Sequence, residues 1–445
     1  MSRTIAAFIS AAALLICAAS AWASEIKTAT MGNGLTVIVR EDRSTPLVSI
    51  HVWVRSGSSN ETISTNGVSH VIEHLAFGTT TKRSESDMDI EMESLGGALS
   101  AETSRDWTHF STTVHPRYVA QALDVLADAL TNAQFPEQDL EREKQVIIEE
   151  IRRKQLNLGK VASDALFAEM YGMHPYSLPI EGTESSIRGL KRQHILDFYQ
   201  TYYTAPNMAV VLVGDIDFQQ AVSDVGKSFQ ILRRTLAPEP YSAGLAPPAA
   251  ARSKVMEGLI KSCIFSIGFM GPAGGYHRDV CTIDIIAAYL GISYRSWVNT
   301  ELRDNLKLAA YGRTEFMTSR FPAPISLNVV CEESNLSAVE STIRAKIDDI
   351  RRSGIPEAAL DAAKRSIMGE YAFQRETVDG MANAYGFYFA ASSPDFADKY
   401  VGLVQSITDD EIRQAAVKYL DLDRSVTIKV IPMRIEGLTE EALAQ

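Results

Sequence analysis

The chain has 445 residues, room for two or more domains of about 100–200 residues each. With 46% hydrophobic and 22% charged residues it is of ordinary globular composition, which excludes wholesale disorder, collagen and a multi-span membrane protein. Acids outnumber bases by 55 to 43, a formal charge of −12, and no basic run offsets this, so nucleic acid and anionic membrane surfaces are poor partners. The four cysteines, Cys17, Cys263, Cys281 and Cys331, form no C-x-x-C pair, which excludes a thiolate zinc cluster and a disulfide scaffold.

At the N-terminus, Arg3 precedes the apolar run Ile5 to Ala19, and Ala21-Trp22-Ala23 reads as a small-x-small cleavage site. Residues 1–23 are therefore expected to be a secretory signal peptide, and the mature protein to be periplasmic without a stable membrane span. A retained anchor is the competing reading, because Ile5 to Ala23 is about long enough to cross a bilayer. Removal of Cys17 would leave three cysteines, so at least one thiol stays unpaired.

Leu35 to Arg40 and Val48 to Val54 are rich in β-branched residues and read as strands. Helical periodicity follows from Gly67 to Phe77, Arg117 to Asn132 and Pro136 to Gln155. A further helix is expected near His194 to Tyr202, and a buried strand from Met208 to Gly214. Strands and helices mix without regular βαβ alternation, which favours α+β. From 236 to 253 the composition shifts to Pro, Ala and Gly, as in a linker. It separates an N-terminal domain, 24–235, from a C-terminal one, 254–445.

The two sides of that linker resemble each other. Pro136-Glu137-x-x-Leu140 recurs as Pro356-Glu357-x-x-Leu360, 220 residues on, and Lys144, Ile147 and Glu150 recur as Lys364, Ile367 and Glu370. The register predicts a duplicated domain of about 200 residues.

His70-Val-Ile-Glu73-His74 lies inside a predicted helix, where spacings of three and four put all three side chains on one face. Two imidazoles one turn apart can hold one zinc, and a neighbouring carboxylate can take a proton from water. A third ligand is sought on the Pro136 helix, whose acids must be sorted by direction. With Ile147 at 0°, Glu143 lies at about −40° and Glu150 at about −60°, beside the apolar stripe, whereas Glu149 points about 200° away. Inward carboxylates are costly unless a cation or donors match them. Glu150 is therefore expected as ligand and Glu143 as the outer carboxylate that orients a metal-bound group.

His70-x-x-Glu73-His74 with Glu150 resembles the insulinase/pitrilysin family of inverzincin peptidases, which includes mitochondrial processing peptidase. Gly67-Val-Ser-His, Ala101-Glu-Thr-Ser-Arg-Asp, His174-Pro-Tyr and Val213-Gly-Asp agree with it. The resemblance implies one Zn2+ per chain on His70, His74 and Glu150, with Glu73 as general base. It implies two homologous α+β domains, each an antiparallel sheet packed with helices. Peptide would bind by strand addition at Ser100 to Thr103, with Ala101 in contact; Ser100 stands where relatives usually carry Asn.

At an offset of 220 the second half has Leu290, Ser293 and Tyr294, so one zinc site is expected. Relatives supply an Arg and a Tyr seven residues apart from that half to contact substrate and oxyanion. The nearest match, Arg303 and Tyr311, is one residue too long. The expected function is a zinc endopeptidase acting on short or unfolded peptides in a chamber formed by paired subunits. The pair is a homodimer, or a heterodimer in which a related subunit supplies the Arg/Tyr pair. The alternatives are a non-catalytic assembly homologue and a small-molecule zinc hydrolase.

Overall fold

A computed structural model describes residues 25–433 apart from 85, 244 and 259. The predicted signal peptide, its alternative as an anchor, and Cys17 lie outside the described residues. Among the described residues no helix is long and apolar enough to cross a membrane.

The chain begins with strands β1 (Lys27–Thr30), β2 (Thr36–Glu41) and β3 (Val48–Val54), followed by helices α1 (Val68–Ala76) and α2 (Asp87–Ser94). A hairpin, β4 (Ser100–Thr103) and β5 (Thr108–Val114), leads to helices α3 (Val119–Thr131), α4 (Glu137–Gln155) and α5 (Leu158–Tyr171). Helices α6 (Glu184–Gly189) and α7 (Arg192–Tyr202), strand β6 (Met208–Gly214) and helix α8 (Phe218–Ser228) follow. Between Ser228 and Arg252 the described residues form neither helix nor strand, and β7 opens inside the segment expected as linker.

Beyond it come β7 (Arg252–Gly258), β8 (Cys263–Met270), α9 (His277–Ala287), β9 (Tyr311–Phe316) and β10 (Pro324–Cys331). Helices α10 (Leu336–Ser353), α11 (Glu357–Gln374), α12 (Val378–Ala391), α13 (Phe396–Ser406) and α14 (Asp409–Tyr419) precede β11 (Val426–Pro432).

Two sheets result, ordered β1-β2-β6-β3-β5-β4 and β7-β11-β8-β10-β9. From β2 and β7 onward the orders correspond strand for strand, as the 220-residue register predicts. The chain is α+β, but the sheets are mixed and not wholly antiparallel: β2 pairs β6 in parallel, and β11 pairs β7 in parallel. Nearly a whole half of the chain separates each parallel pair, so the hairpin constraint that enforces antiparallel pairing does not act there.

Period-two alternation divides the faces of the first sheet. Val48, Ile50, Val52 and Val54 of β3 pack with the helices of their own half, including α1, α3 and α4. Trp53, with Trp107, Val211 and Val213, joins the core built by the second half. That side is covered by α12, which packs on β3 and β6, while α5 from the first half packs on β8 and β11. Each half thus lends one helix to the other's sheet.

Candidate metal centre

Helix α1 starts at Gly67, whose φ is 93°. A Cβ there would stand 2.5 Å from the Ile187 side chain and 2.9 Å from the Glu181 carbonyl oxygen, so the position requires glycine. The first turn is held by Glu61, which is buried. Its carboxylate accepts from the backbone N–H of Gly67 at 2.7 Å and of Ser69 at 2.9 Å, from Asn66 Nδ2 at 2.9 Å, and from the Ser69 hydroxyl. A carboxylate at a helix N-terminus satisfies free N–H groups and complements the positive end of the helix dipole. Burial nevertheless pushes the Glu61 carboxyl up, against those donors.

Helix α4 packs on α1. Its first turn carries Glu137 and Asp139 and its last turn Arg152, Arg153 and Lys154, a charge order that suits the helix dipole. Leu140, Ile147 and Ile151 form its buried stripe, and Glu143 and Glu150 flank it at 17% and 23% side-chain exposure. Glu149 points outward at 64% and pairs with Arg152 at 2.6 Å. The directional sorting made from periodicity therefore matches the side-chain positions.

His70, His74 and Glu150 converge: one ligand atom from each lies within 4.8 Å of the others. Glu150 Oε2 is 3.7 Å from His70 Nε2 and 3.6 Å from His74 Nε2. A zinc held about 2.0–2.2 Å from each donor separates tetrahedral ligands by about 3.3–3.6 Å, close to both Glu150 separations, and two imidazoles with a carboxylate are donors that ion takes. His74 Nδ1 lies 3.1 Å from Glu143 Oε2. Donation from Nδ1–H leaves the Nε2 lone pair free to face Glu150 and a metal.

Burial, and then His74, push the His70 imidazole down to about 4, so it stays neutral and able to ligate. The His74 imidazole 3.6 Å away, and then the Lys154 ammonium, hold the Glu150 carboxyl well below the usual carboxylate range. For His74 burial acts downward, but the neighbouring Glu150 and Glu143 carboxylates outweigh it and raise the group. Burial raises Glu73, with the Thr103 side chain and His74 acting the other way. A raised carboxyl is a better proton acceptor once ionised.

Ala101 and Thr103 lie on β4, the edge strand of the first sheet, which among the described residues pairs with β5 alone; Ala101 opposes Phe110 and Ser100 opposes Ser111. Its other edge has no strand partner among the described residues. Arg303 and Tyr311 are in the second half. Arg303 pairs with Asp304 at 2.8 Å and lies over the Tyr294 ring, and Tyr311 opens edge strand β9, half exposed. Each engages residues of its own half.

Sequence reasoning did not anticipate Glu61, Lys154 or Glu181. Lys154 Nζ pairs with the second oxygen of Glu150 at 2.8 Å and with Glu181 at 2.7 Å, which steadies the carboxylate. Lys154 stands four residues after Glu150, a visible i,i+4 signal. Glu181 is distant in sequence, and Glu61, though only six residues before Gly67, lies outside the helix whose period sorts the side chains; neither carried a signal.

This is a duplicated α+β chain with a two-histidine, one-glutamate cluster on facing helices. Residues 36–184 match the family "Insulinase (Peptidase family M16)" and residues 189–367 match "Peptidase M16 inactive domain", together about three quarters of the chain. The chain belongs to the insulinase family of peptidases. It is 34% identical over 207 residues to a probable mitochondrial-processing peptidase subunit beta of Arabidopsis thaliana, covering 46% of this chain and only 39% of that protein. It is 25% identical over 362 residues to the uncharacterized zinc protease YmxG of Bacillus subtilis, 81% of this chain and 87% of that one. A solved protease structure from Helicobacter pylori aligns with a TM-score of 0.87 at 23% identity, covering 92% of this chain and all of that chain. At that identity the likeness speaks for the fold.

Proposed function

We propose that the chain is a zinc-dependent endopeptidase for short or unfolded peptides, with His70, His74 and Glu150 as metal ligands and Glu73 as general base. The observation that carries this reading is the convergence of the three ligand atoms within 4.8 Å on the two facing helices. A bound zinc would supply Lewis acidity, lowering the pKa of water and polarising a carbonyl. Glu73, on the same face as both histidines, takes the proton of the attacking water and returns it to the leaving amine. Glu143 orients His74 through Nδ1, and Lys154 holds the far oxygen of Glu150. An extended peptide adds to β4, so that the backbone at Ala101 sets its register. Zinc stoichiometry by native mass spectrometry, with peptide cleavage by Glu73→Gln, tests the assignment: one zinc per chain and loss of cleavage are expected, and cleavage at the wild-type rate overturns it.

The domain units proposed are 24–235, bearing the site, and 254–445. We infer further that subunits work in pairs in the periplasm, this chain being the zinc-bearing member. The engagement of Arg303 by Asp304 favours a partner as the source of the Arg/Tyr pair. Native mass spectrometry from the source organism tests this, and full activity of a homodimer contradicts it.

A further inference from the structure

Away from the metal centre, the end of β3, the end of α12 and the segment after α8 enclose a cavity of about 380 Å3. Arg55, Arg320, Asn60 and Ser392 line it. Arg55 lies on the Phe389 ring, 3.8 Å from its centroid, and donates Nε and Nη2 to the Phe389 carbonyl at 3.1 and 2.8 Å. Arg320 donates Nη2 to the Arg55 carbonyl at 3.4 Å; its backbone N–H, and not its guanidinium, reaches Asp106 at 2.8 Å. Both guanidiniums are thus positioned by neutral acceptors.

Among the described residues neither guanidinium forms an ion pair. Glu239 is the one carboxylate lining the cavity; it is exposed and pairs with neither. Burial, and then the charge of Arg320, push Arg55 down to about 10. Arg105, also buried, differs: Asp164 and Glu181 favour its charge. The Ser392 hydroxyl is buried without a partner. Two adjacent part-buried cations with unused N–H donors and an unpaired hydroxyl form an incomplete electrostatic unit.

We propose that this cavity binds an oxyanion of the phosphate class, as the free ion or as the head of a phosphomonoester, between Arg55 and Arg320 with the Ser392 hydroxyl as a further donor. The guanidinium fork matches tetrahedral oxyanions, and a dianion balances both charges. The cavity exceeds one phosphate in size, which leaves room for an attached group. Asn60 adjoins Glu61, the carboxylate that holds the first turn of α1, so the occupant would sit beside the support of the histidine helix.

The test titrates the full chain with inorganic phosphate and, separately, glycerol phosphate at constant pH and ionic strength, read by calorimetry and thermal unfolding against chloride. Saturable binding and a raised Tm are expected; equal affinities identify the free ion as the ligand, and tighter glycerol phosphate identifies a phosphomonoester. Arg320→Gln is expected to weaken binding about tenfold or more, and Ser392→Ala severalfold, since charge-assisted hydrogen bonds are lost. No binding beyond the chloride control, or affinities unchanged in both variants, overturns the proposal.

Discussion

The two halves share strand order and helix succession, yet they solve the same contact in opposite ways. In the first sheet a large residue, Trp53, faces Gly386 of α12, where an added Cβ would stand 1.8 Å from Trp53 Nε1. In the second sheet the small residue is on the strand: Gly268 of β8 faces Leu166 of α5, with an added Cβ 2.7 Å from both Leu166 methyls. Leu166 and Gly386 are 220 residues apart, the spacing of the repeat. A duplicated scaffold preserves the sum of volumes at a packed contact, not which partner is large.

The sites diverge under the same scaffold. Helices α1 and α4 bring together His70, His74 and Glu150, whereas α9 and α11 bring Asp284 toward Glu370, the residue 220 positions after Glu150, at a cavity of about 550 Å3. Asp284 accepts from Tyr400 at 2.7 Å, and burial pushes its carboxyl up to about 7. One half gathers two imidazoles and a carboxylate; the other buries a carboxyl whose pKa is pushed up to about 7. The difference lies in a few side chains.

The comparison is broken most severely at the base. Glu73→Gln is expected to lower kcat about 10²–10⁴-fold with zinc stoichiometry unchanged, as native mass spectrometry and peptide assays would report. The equivalent probe in the second half, Asp284→Asn, is expected to leave zinc binding untouched, and cleavage lost with it would mean that the second half takes part in the chemistry.

Next in size is the reciprocal packing. Gly386→Ala should destabilise by about 3 kcal/mol or more, despite the gain of about 1 kcal/mol that Ala brings to a helix, because the Trp53 indole cannot yield. Gly268→Ala should cost about 1–2 kcal/mol, since flexible Leu166 methyls can shift. Denaturant unfolding of both variants settles the order; equal costs would remove the asymmetry.

Asp284 also makes a pH prediction. The unfolded carboxyl releases its proton near 3.8 and the folded one near 7, so the folded state binds more protons between these values. Stability therefore falls as pH rises through that window. Asp284→Asn is expected to match the wild type near pH 4 and exceed it by roughly 4 kcal/mol above pH 7. A stability difference independent of pH would show that the carboxyl is not held protonated. Glu143→Gln is expected to leave the fold intact and reduce zinc affinity about 10–100-fold, measured by competition with a chelator.

Much of this was legible in the sequence because it is local. His70, Glu73 and His74 share a face by helical period alone, and Glu143, Glu149 and Glu150 were sorted by the same period. The repeat was visible because Pro356 and Glu370 keep the register of Pro136 and Glu150. The parallel pairs β2–β6 and β7–β11, the exchange of α5 and α12, the Glu61 cradle and the Arg55–Arg320 cavity had no such signal. The strand pairs, the helix exchange and the cavity join segments far apart in the chain, and Glu61, close in sequence, reaches α1 from outside its period; side-chain direction along one element says nothing of what another brings to it.

The sequence by itself therefore determined the family, the duplication and which side chains could bind a metal, since these follow from residue type and spacing. Only the tertiary structure decided that Glu150 meets both histidines, that Trp53 needs Gly386, and that Arg55 and Arg320 stand together with no ion pair among the described residues. Those facts rest on packing across the halves, where close contact selects one arrangement from many that the local periodicities permit.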